Sequence, residues 1–145
     1  MDRNLVEECE QLTIETQELG MMIMRPFYER HKINYLKLSV LREVSQSNSI
    51  TLNTLSQKLG KAAANLSVVI SEMEKDNLVQ RVRSVNDRRV TFIQPKDKGK
   101  KISDLSYEHI AKAFSDIFGE GEIFEELIDV LERYKEKLQT AVDSM

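Results

Sequence analysis

Residues 51–80 read TLNTLSQKLGKAAANLSVVISEMEKDNLVQ, and this stretch decides the fold. Thr51 is a residue type that caps helices through its hydroxyl, and Leu52, Leu55 and Leu59 come after it at spacings of three and four. Those spacings put all three leucines on one face of a helix of barely two turns. Gly60 closes it, because glycine adopts the left-handed cap conformation without a Cβ clash. A further helix is predicted from about Ala62 to Lys75, with Leu66, Val69, Ile70 and Met73 on one apolar stripe. Asn77 tolerates left-handed angles and turns the chain sharply out of that helix. A short helix, a tight turn and a longer helix make a helix-turn-helix outline.

Downstream, the helical period gives way to alternation. Val79, Arg81, Arg83 and Val85 fall on one side and Gln80, Val82 and Ser84 on the other, while Val90 to Ile93 is β-branched and aromatic. That pattern predicts a strand pair. Asn86-Asp87-Arg88-Arg89 lies between the strands as a polar turn, and the hairpin ends at Pro95. Beyond Gly99 two long apolar-periodic helices are expected, separated by Gly119-Glu120-Gly121. Upstream, Leu5, Cys9, Leu12, Leu19 and Ile23 mark an amphipathic first helix. Pro26 should bend it near Arg25, with Phe27 to His31 continuing for a turn or two. Asn34 is the expected N-cap of a helix through Leu38, Leu41 and Val44, and Ser45 to Ser49 reads as loop.

The 145 residues fit one domain, and 41% hydrophobic residues supply a core. No run approaches the roughly 18 apolar residues a membrane span needs. The opening Met1-Asp2-Arg3-Asn4 lacks a signal peptide's apolar region, so a cytoplasmic protein is expected. One cysteine excludes an intramolecular disulfide framework. Net charge is -3, yet its distribution is uneven. Val79 to Lys101 holds eight Lys/Arg against two acids, residues 116–143 hold nine acids against three bases, and residues 2–18 carry six acids and only Arg3. A basic centre between acidic ends points to a local surface for a polyanion. The chain has no phosphate-cradling glycine loop and no nucleophile motif, so no catalytic residue and no cofactor are expected. His31 and His109 are far apart in sequence with no cysteine or carboxylate at a ligand spacing, which argues against a metal site.

The order of elements resembles the MarR family of bacterial regulators over nearly the whole chain. The resemblance is carried by Thr51 to Gly60, by Met73-Glu74-Lys75-Asp76-Asn77-Leu78-Val79-Gln80-Arg81, and by Asp87-Arg88-Arg89, where Asp87 and Arg89 fill the family's Asp-x-Arg wing positions. Two features depart from it: Pro95-Lys96-Asp97-Lys98-Gly99 replaces the usual Leu-Thr before glycine, and Val68 stands where the recognition helix often carries Arg. The resemblance implies a mainly α (α+β) winged helix-turn-helix with a two-stranded wing. It implies a single domain, 1–145, with a DNA-binding lobe over about 34–100 and dimerisation helices over about 1–33 and 101–145. The function implied is a sequence-specific transcription regulator, a repressor by the family's commoner mode, acting as a homodimer on double-stranded DNA. A small-molecule effector lodged between the dimerisation helices and the lobe is a further expectation.

In a helix-turn-helix the second helix enters the major groove. Its outer face here is Ala63, Ala64, Asn65, Ser67 and Val68, small and mostly neutral. Asn pairs with adenine and the methyl groups suit thymine, so A·T-rich half-sites are expected. Asp87, Arg88 and Arg89 form the wing site, with Arg88 and Arg89 as candidates for the minor groove; the resemblance implies Arg89 as the inserted residue, oriented by Asp87 through a charge-assisted bond. Lys58, Lys61, Arg81, Arg83, Lys96 and Lys98 are candidates for phosphate contacts, and each is equally readable as a plain surface charge. Cys9 is the sole candidate redox sensor, with Tyr28 or Tyr35 as partners, although its acidic neighbours disfavour a thiolate. Met21, Met22 and Met24 are candidates for a flexible effector pocket, or for core. The competing readings are a protein-interaction adaptor without specific DNA binding and a cysteine-based redox regulator.

Overall fold

The computed structural model describes Asp2 to Gly119 and Gly121 to Met145. Met1 in the opening and Glu120 in the Gly-Glu-Gly break lie outside the described residues. The elements are α1 (Arg3–His31), α2 (Tyr35–Ser47), β1 (Ile50–Thr51), α3 (Leu52–Leu59), α4 (Ala63–Lys75), β2 (Val79–Arg83), β3 (Thr91–Pro95), α5 (Asp97–Phe118) and α6 (Glu122–Asp143). The chain divides into two units, one up to Ile110 and one from Ala111.

In the first unit, local signals set most boundaries. Asp2 caps α1 by accepting from Asn4 N–H at 3.0 Å. The helix is continuous through Pro26. Proline removes one backbone donor there, but Met24 and Phe27 on either side are buried and hold that turn onto the core. Asn34 caps α2, its side chain accepting from Lys37 N–H at 2.8 Å. That helix runs through Ser45-Gln46-Ser47, which composition marked as loop; only Asn48 and Ser49 lie outside regular structure. Leu38, Val40, Leu41 and Val44 are buried and carry α2 past its polar end. Thr51 Oγ1 accepts from Thr54 N–H at 3.2 Å, and Gly60 closes α3 at φ 60°. Asn77 takes φ 61°, the left-handed turn its residue type suggested.

The expected two-stranded wing is β2 and β3, and the sheet adds a short third strand in the order β1-β3-β2. Ile50 pairs with Ile93 and Thr51 with Phe92. A two-residue strand is too short to show an alternation, so periodicity carries no sign of it. Another correction concerns α5, which starts at Asp97 and carries Gly99 buried within its first turn. Lys96 N–H donates to Leu78 O at 3.0 Å, and Lys100 N–H donates to Lys96 O at 2.9 Å. The chain therefore enters α5 directly from the sheet.

The core gathers Leu41, Val44, Leu55, Leu66, Ile70, Met73, Val79 and Ile93, and it extends beyond 34–100 to Met24, Phe27, Ile33 and Ile102. Each such side chain contributes roughly 1.5–3 kcal/mol by leaving water. This burial fixes α4 against the sheet, and so sets which of its faces is left to solvent.

The second unit is smaller. Phe114, Phe118 and Phe124 form an aromatic cluster, with ring centroids 5.2 to 5.8 Å apart. None of the described residues of α6 is buried, and Leu127, Leu131, Tyr134 and Leu138 face outward at spacings of four, three and four. On α1, Leu5, Leu12 and Leu19 are likewise exposed.

Candidate nucleic-acid interface

α4 turns Leu66, Ile70 and Met73 inward, which leaves the opposite face to solvent. Ala64, Asn65 and Val68 are exposed, Val68 at 62%, while Ala63 and Ser67 are half-buried. Ala62, at the N-cap, provides no side-chain cap. The first-turn N–H groups therefore have no capping side chain, and they carry the positive end of the helix dipole. Ala62, Ala63 and Ala64 put only methyl groups at this end, between the exposed Lys61 and Asn65. At its other end α4 is held by Lys37, whose Nζ meets Glu72 at 2.9 Å and Asp76 at 3.8 Å. The hydrogen bond from Lys37, and then its charge, hold the Glu72 carboxyl below the usual carboxylate range.

The wing is an antiparallel hairpin with Arg81 opposite Ile93 and Arg83 opposite Thr91. Ser84 N–H donates to Val90 O at 2.9 Å and closes the ladder. Within the turn, Ser84 Oγ accepts from the N–H groups of Asn86 and Asp87, both at 3.3 Å. Asp87 Oδ1 accepts from the backbone N–H of Arg89 at 2.9 Å, so the carboxylate shapes the turn instead of holding the guanidinium. Arg88 and Arg89 are exposed. Among the described residues, neither guanidinium has a hydrogen-bond or ion-pair partner. Val85 beside them is 99% exposed. Arg89 also borders a cleft of about 320 Å³ with Thr51, Leu52, Asn53, Val90 and Thr91, next to the start of α3.

The basic side chains fall into two groups. Lys61 and Arg83 are exposed without partners among the described residues. The other four are engaged. Lys58 Nζ pairs with Glu43 at 3.1 Å, Lys96 Nζ donates to Asn77 Oδ1 at 2.7 Å, and Lys98 Nζ donates to Asp76 O at 2.9 Å. Arg81 is turned back onto Ser67, Ser71 and Glu74 of α4. Sequence reasoning missed Glu74 as a functional neighbour, since only the packing of α4 on β2 brings it to Arg81.

The remaining candidates lie elsewhere. Cys9 is exposed, and Tyr28, 19 positions further along α1, is roughly 28 Å away along the helix axis. The two therefore do not meet within one chain. Of the three methionines, Met24 is buried in the core, while Met21 and Met22 line an outward groove on α1 with Leu19, Arg25 and Tyr28. His31 and His109, distant in sequence, both pack against Phe27 with tilted rings, centroids 4.3 and 5.6 Å from its ring. Burial, then Arg30 and His109, hold His31 below its ordinary value. Among the described residues no three His, Cys, Asp or Glu are grouped to hold a metal. Nor is any described helix long and apolar enough to cross a membrane.

A recognition-length helix beside a basic hairpin, both built on one small core, defines a winged helix-turn-helix protein. The MarR family model matches residues 33–91, from the end of the first loop to the start of β3. The homoprotocatechuate degradative operon repressor of Escherichia coli is 24% identical over 123 residues, 83% of either chain. A MarR family protein from Bacillus stearothermophilus has the same fold, with a TM-score of 0.75 at 24% identity over 98% of both chains. Reduced AbfR bound to DNA gives a TM-score of 0.69 at 20% identity, over 95% of this chain and 99% of that one. The chain is thus similar to the MarR family in the sequence of its helix-turn-helix and in its fold. These relatives are DNA-binding transcription regulators by name, and the winged helix-turn-helix fold is shared with them.

Proposed function

We propose that the protein is a cytoplasmic repressor that binds an approximate palindrome as a homodimer. In this reading Asn65 and Val68 of α4 read A·T-rich half-sites in the major groove, and the wing enters the flanking minor groove with Arg89 inserted and Arg88 at the adjoining phosphates. The observation that carries the reading is the pair of unpartnered guanidinia on the wing tip, set beside a small-residue helix whose N-terminus has no side-chain cap. Lys61 and Arg83 supply phosphate contacts. The name of the Escherichia coli relative supports repression, and the DNA in the AbfR complex supports a nucleic-acid partner. Dimerisation is supported by the outward stripes of α1 and α6, which are too continuous to be left in water. A two-fold axis then presents two recognition helices to half-sites about 34–36 Å apart.

The test is to recover duplexes bound by the full chain from a randomised pool and to measure its mass by sedimentation at micromolar concentration. A dimer and an A·T-rich inverted repeat are expected. A monomer, or a pool that stays random, overturns the reading in favour of a protein adaptor.

An effector seat on the first unit belongs to the same reading. Arg42 Nη2 and Ser45 Oγ are buried without hydrogen-bond partners, a cost usually met by a ligand or water. They border a cleft of about 230 Å³ with Ser103, Asp104 and Tyr107, room for one small ring. Arg42 lies 4.5 Å over the Tyr107 ring and donates from Nε to Ser106 Oγ at 3.0 Å. This geometry presents the guanidinium to a carboxylate and the ring to an aromatic face. Homoprotocatechuate, the aromatic acid in the relative's name, is the probe. By calorimetry, Arg42→Gln is expected to weaken its binding about tenfold or more. Equal binding by the variant, or none by the wild type, would remove the seat.

A further inference from the structure

Arg81 sits on β2 and grips α4 at several points. Its backbone N–H donates to Glu74 Oε1 at 2.9 Å, and its Nη1 donates to Ser71 Oγ at 3.2 Å and to Glu74 Oε2. Its Nη2 donates to Ser67 O at 2.8 Å and to Ser67 Oγ at 3.2 Å. The grip spans Ser67 to Glu74, about 10 Å along the helix. Both partners are largely withdrawn from solvent, with side chains 29% and 31% exposed. One guanidinium therefore ties two turns of the recognition helix to the strand that leads into the wing.

From this we infer that Arg81, with Glu74, is a positioning residue that fixes the offset between α4 and the wing tip; this rests on the proposal that these two elements enter adjacent grooves. A duplex fixes the distance between its major and minor grooves, so a helix and a hairpin that move independently lose simultaneous engagement. Preorganising them removes that ordering cost from correct docking. Non-specific binding uses phosphates alone and does not require the offset. The clamp thus acts on discrimination more than on affinity. Its fork is also occupied, which takes Arg81 out of the set of phosphate ligands. The planar guanidinium is essential, because a lysine supplies one point charge and cannot reach a carboxylate and a backbone carbonyl two turns apart.

The test compares full-length wild type, Arg81→Lys and Glu74→Gln on the best duplex recovered from a randomised pool and on its scrambled version, across a salt series. Both variants are expected to lose about tenfold in the ratio of selected to scrambled affinity. The salt slope is expected to stay at the wild-type value. A phosphate ligand would behave in the reverse way: Arg81→Lys keeps the ratio, and an Arg81→Gln variant flattens the slope by about 0.9 for the one phosphate no longer neutralised. That result, with the slope change of about 0.9 counted once for each of the two protomers of the bound dimer, or an unchanged ratio in Glu74→Gln, overturns the inference. Amide hydrogen exchange without DNA supplies an independent readout, with protection expected to fall in α4 and β2 of both variants. If the wild type binds both duplexes alike, the operator reading fails, and exchange alone judges the clamp: unchanged protection refutes it.

Discussion

Replacing Gly99 by alanine is expected to lower the stability of the winged-helix lobe by about 3 kcal/mol, the upper range for overpacking. A Cβ at this position would stand 2.1 Å from Leu78 O, 2.9 Å from Leu41 Cδ1 and 3.1 Å from Leu78 C. The leucine methyl can rotate away, but the backbone cannot. Leu78 N–H donates to Met73 O at 2.9 Å, and Leu78 O accepts from Lys96 N–H at 3.0 Å, so the carbonyl is pinned between the end of α4 and the entry to α5. Two effects oppose each other. Alanine is the better helix former by roughly 1 kcal/mol, a gain that rules where space is open. At Gly99 the clash wins, because relieving it means moving α5 off the sheet. Gly20, within α1, is the internal control, since a Cβ there would meet nothing within 4 Å. Denaturant midpoints at one fixed protomer concentration decide the matter. The Gly20→Ala chain should unfold at or above the wild-type midpoint and the Gly99→Ala chain well below it. Equal midpoints for Gly99→Ala and wild type would show that α5 does not approach Leu78 so closely.

The same glycine shows where sequence reading stops. Thr51, Gly60 and Asn77 act on their own neighbours, so the ends of α3 and α4 could be read from residue type and apolar spacing alone. Gly99 was equally visible, but as a boundary between hairpin and helix. Its actual role is a close approach to a residue 21 positions earlier. Strand β1 is hidden for a related reason, since two residues carry no period and only their pairing with Ile93 and Phe92 makes them a strand. On the interface, exposure of Arg88 and Arg89 follows from a polar turn at a hairpin tip, a local fact. That Arg81 turns inward, and that Lys96 and Lys98 fasten the turn at Asp76-Asn77, depends on partners 7 to 22 positions away. Six basic residues looked interchangeable in the sequence because charge alone does not say where a side chain points.

The double substitution Arg88→Ala/Arg89→Ala is expected to weaken operator binding about a hundredfold at moderate salt, with the salt slope falling by about 0.9 for each arginine that lies at phosphates. Folding should be almost untouched. Both side chains are exposed, and the turn is held by Asp87 Oδ1 on the backbone N–H of Arg89, a bond that alanine retains. Substitutions at such surface positions stay within about 0.5 kcal/mol of the wild-type stability, so weakened binding reports the interface and not unfolding. In a dimer the change removes four guanidinia, which is why a large effect is expected from a small edit. The single variants separate two roles. An arginine inserted in the minor groove senses its width and potential, so losing it erases preference for A·T-rich flanks. An arginine at phosphates contributes alike to every sequence, so losing it weakens all duplexes equally. Arg89 is expected to show the first behaviour and Arg88 the second, since the carboxylate of Asp87 fixes the backbone from which Arg89 projects. Anisotropy titrations of flank-varied duplexes across salt read both quantities at once. Matching affinity and slope in the wild type and the double variant would take the wing out of the interface and leave α4 to bind alone.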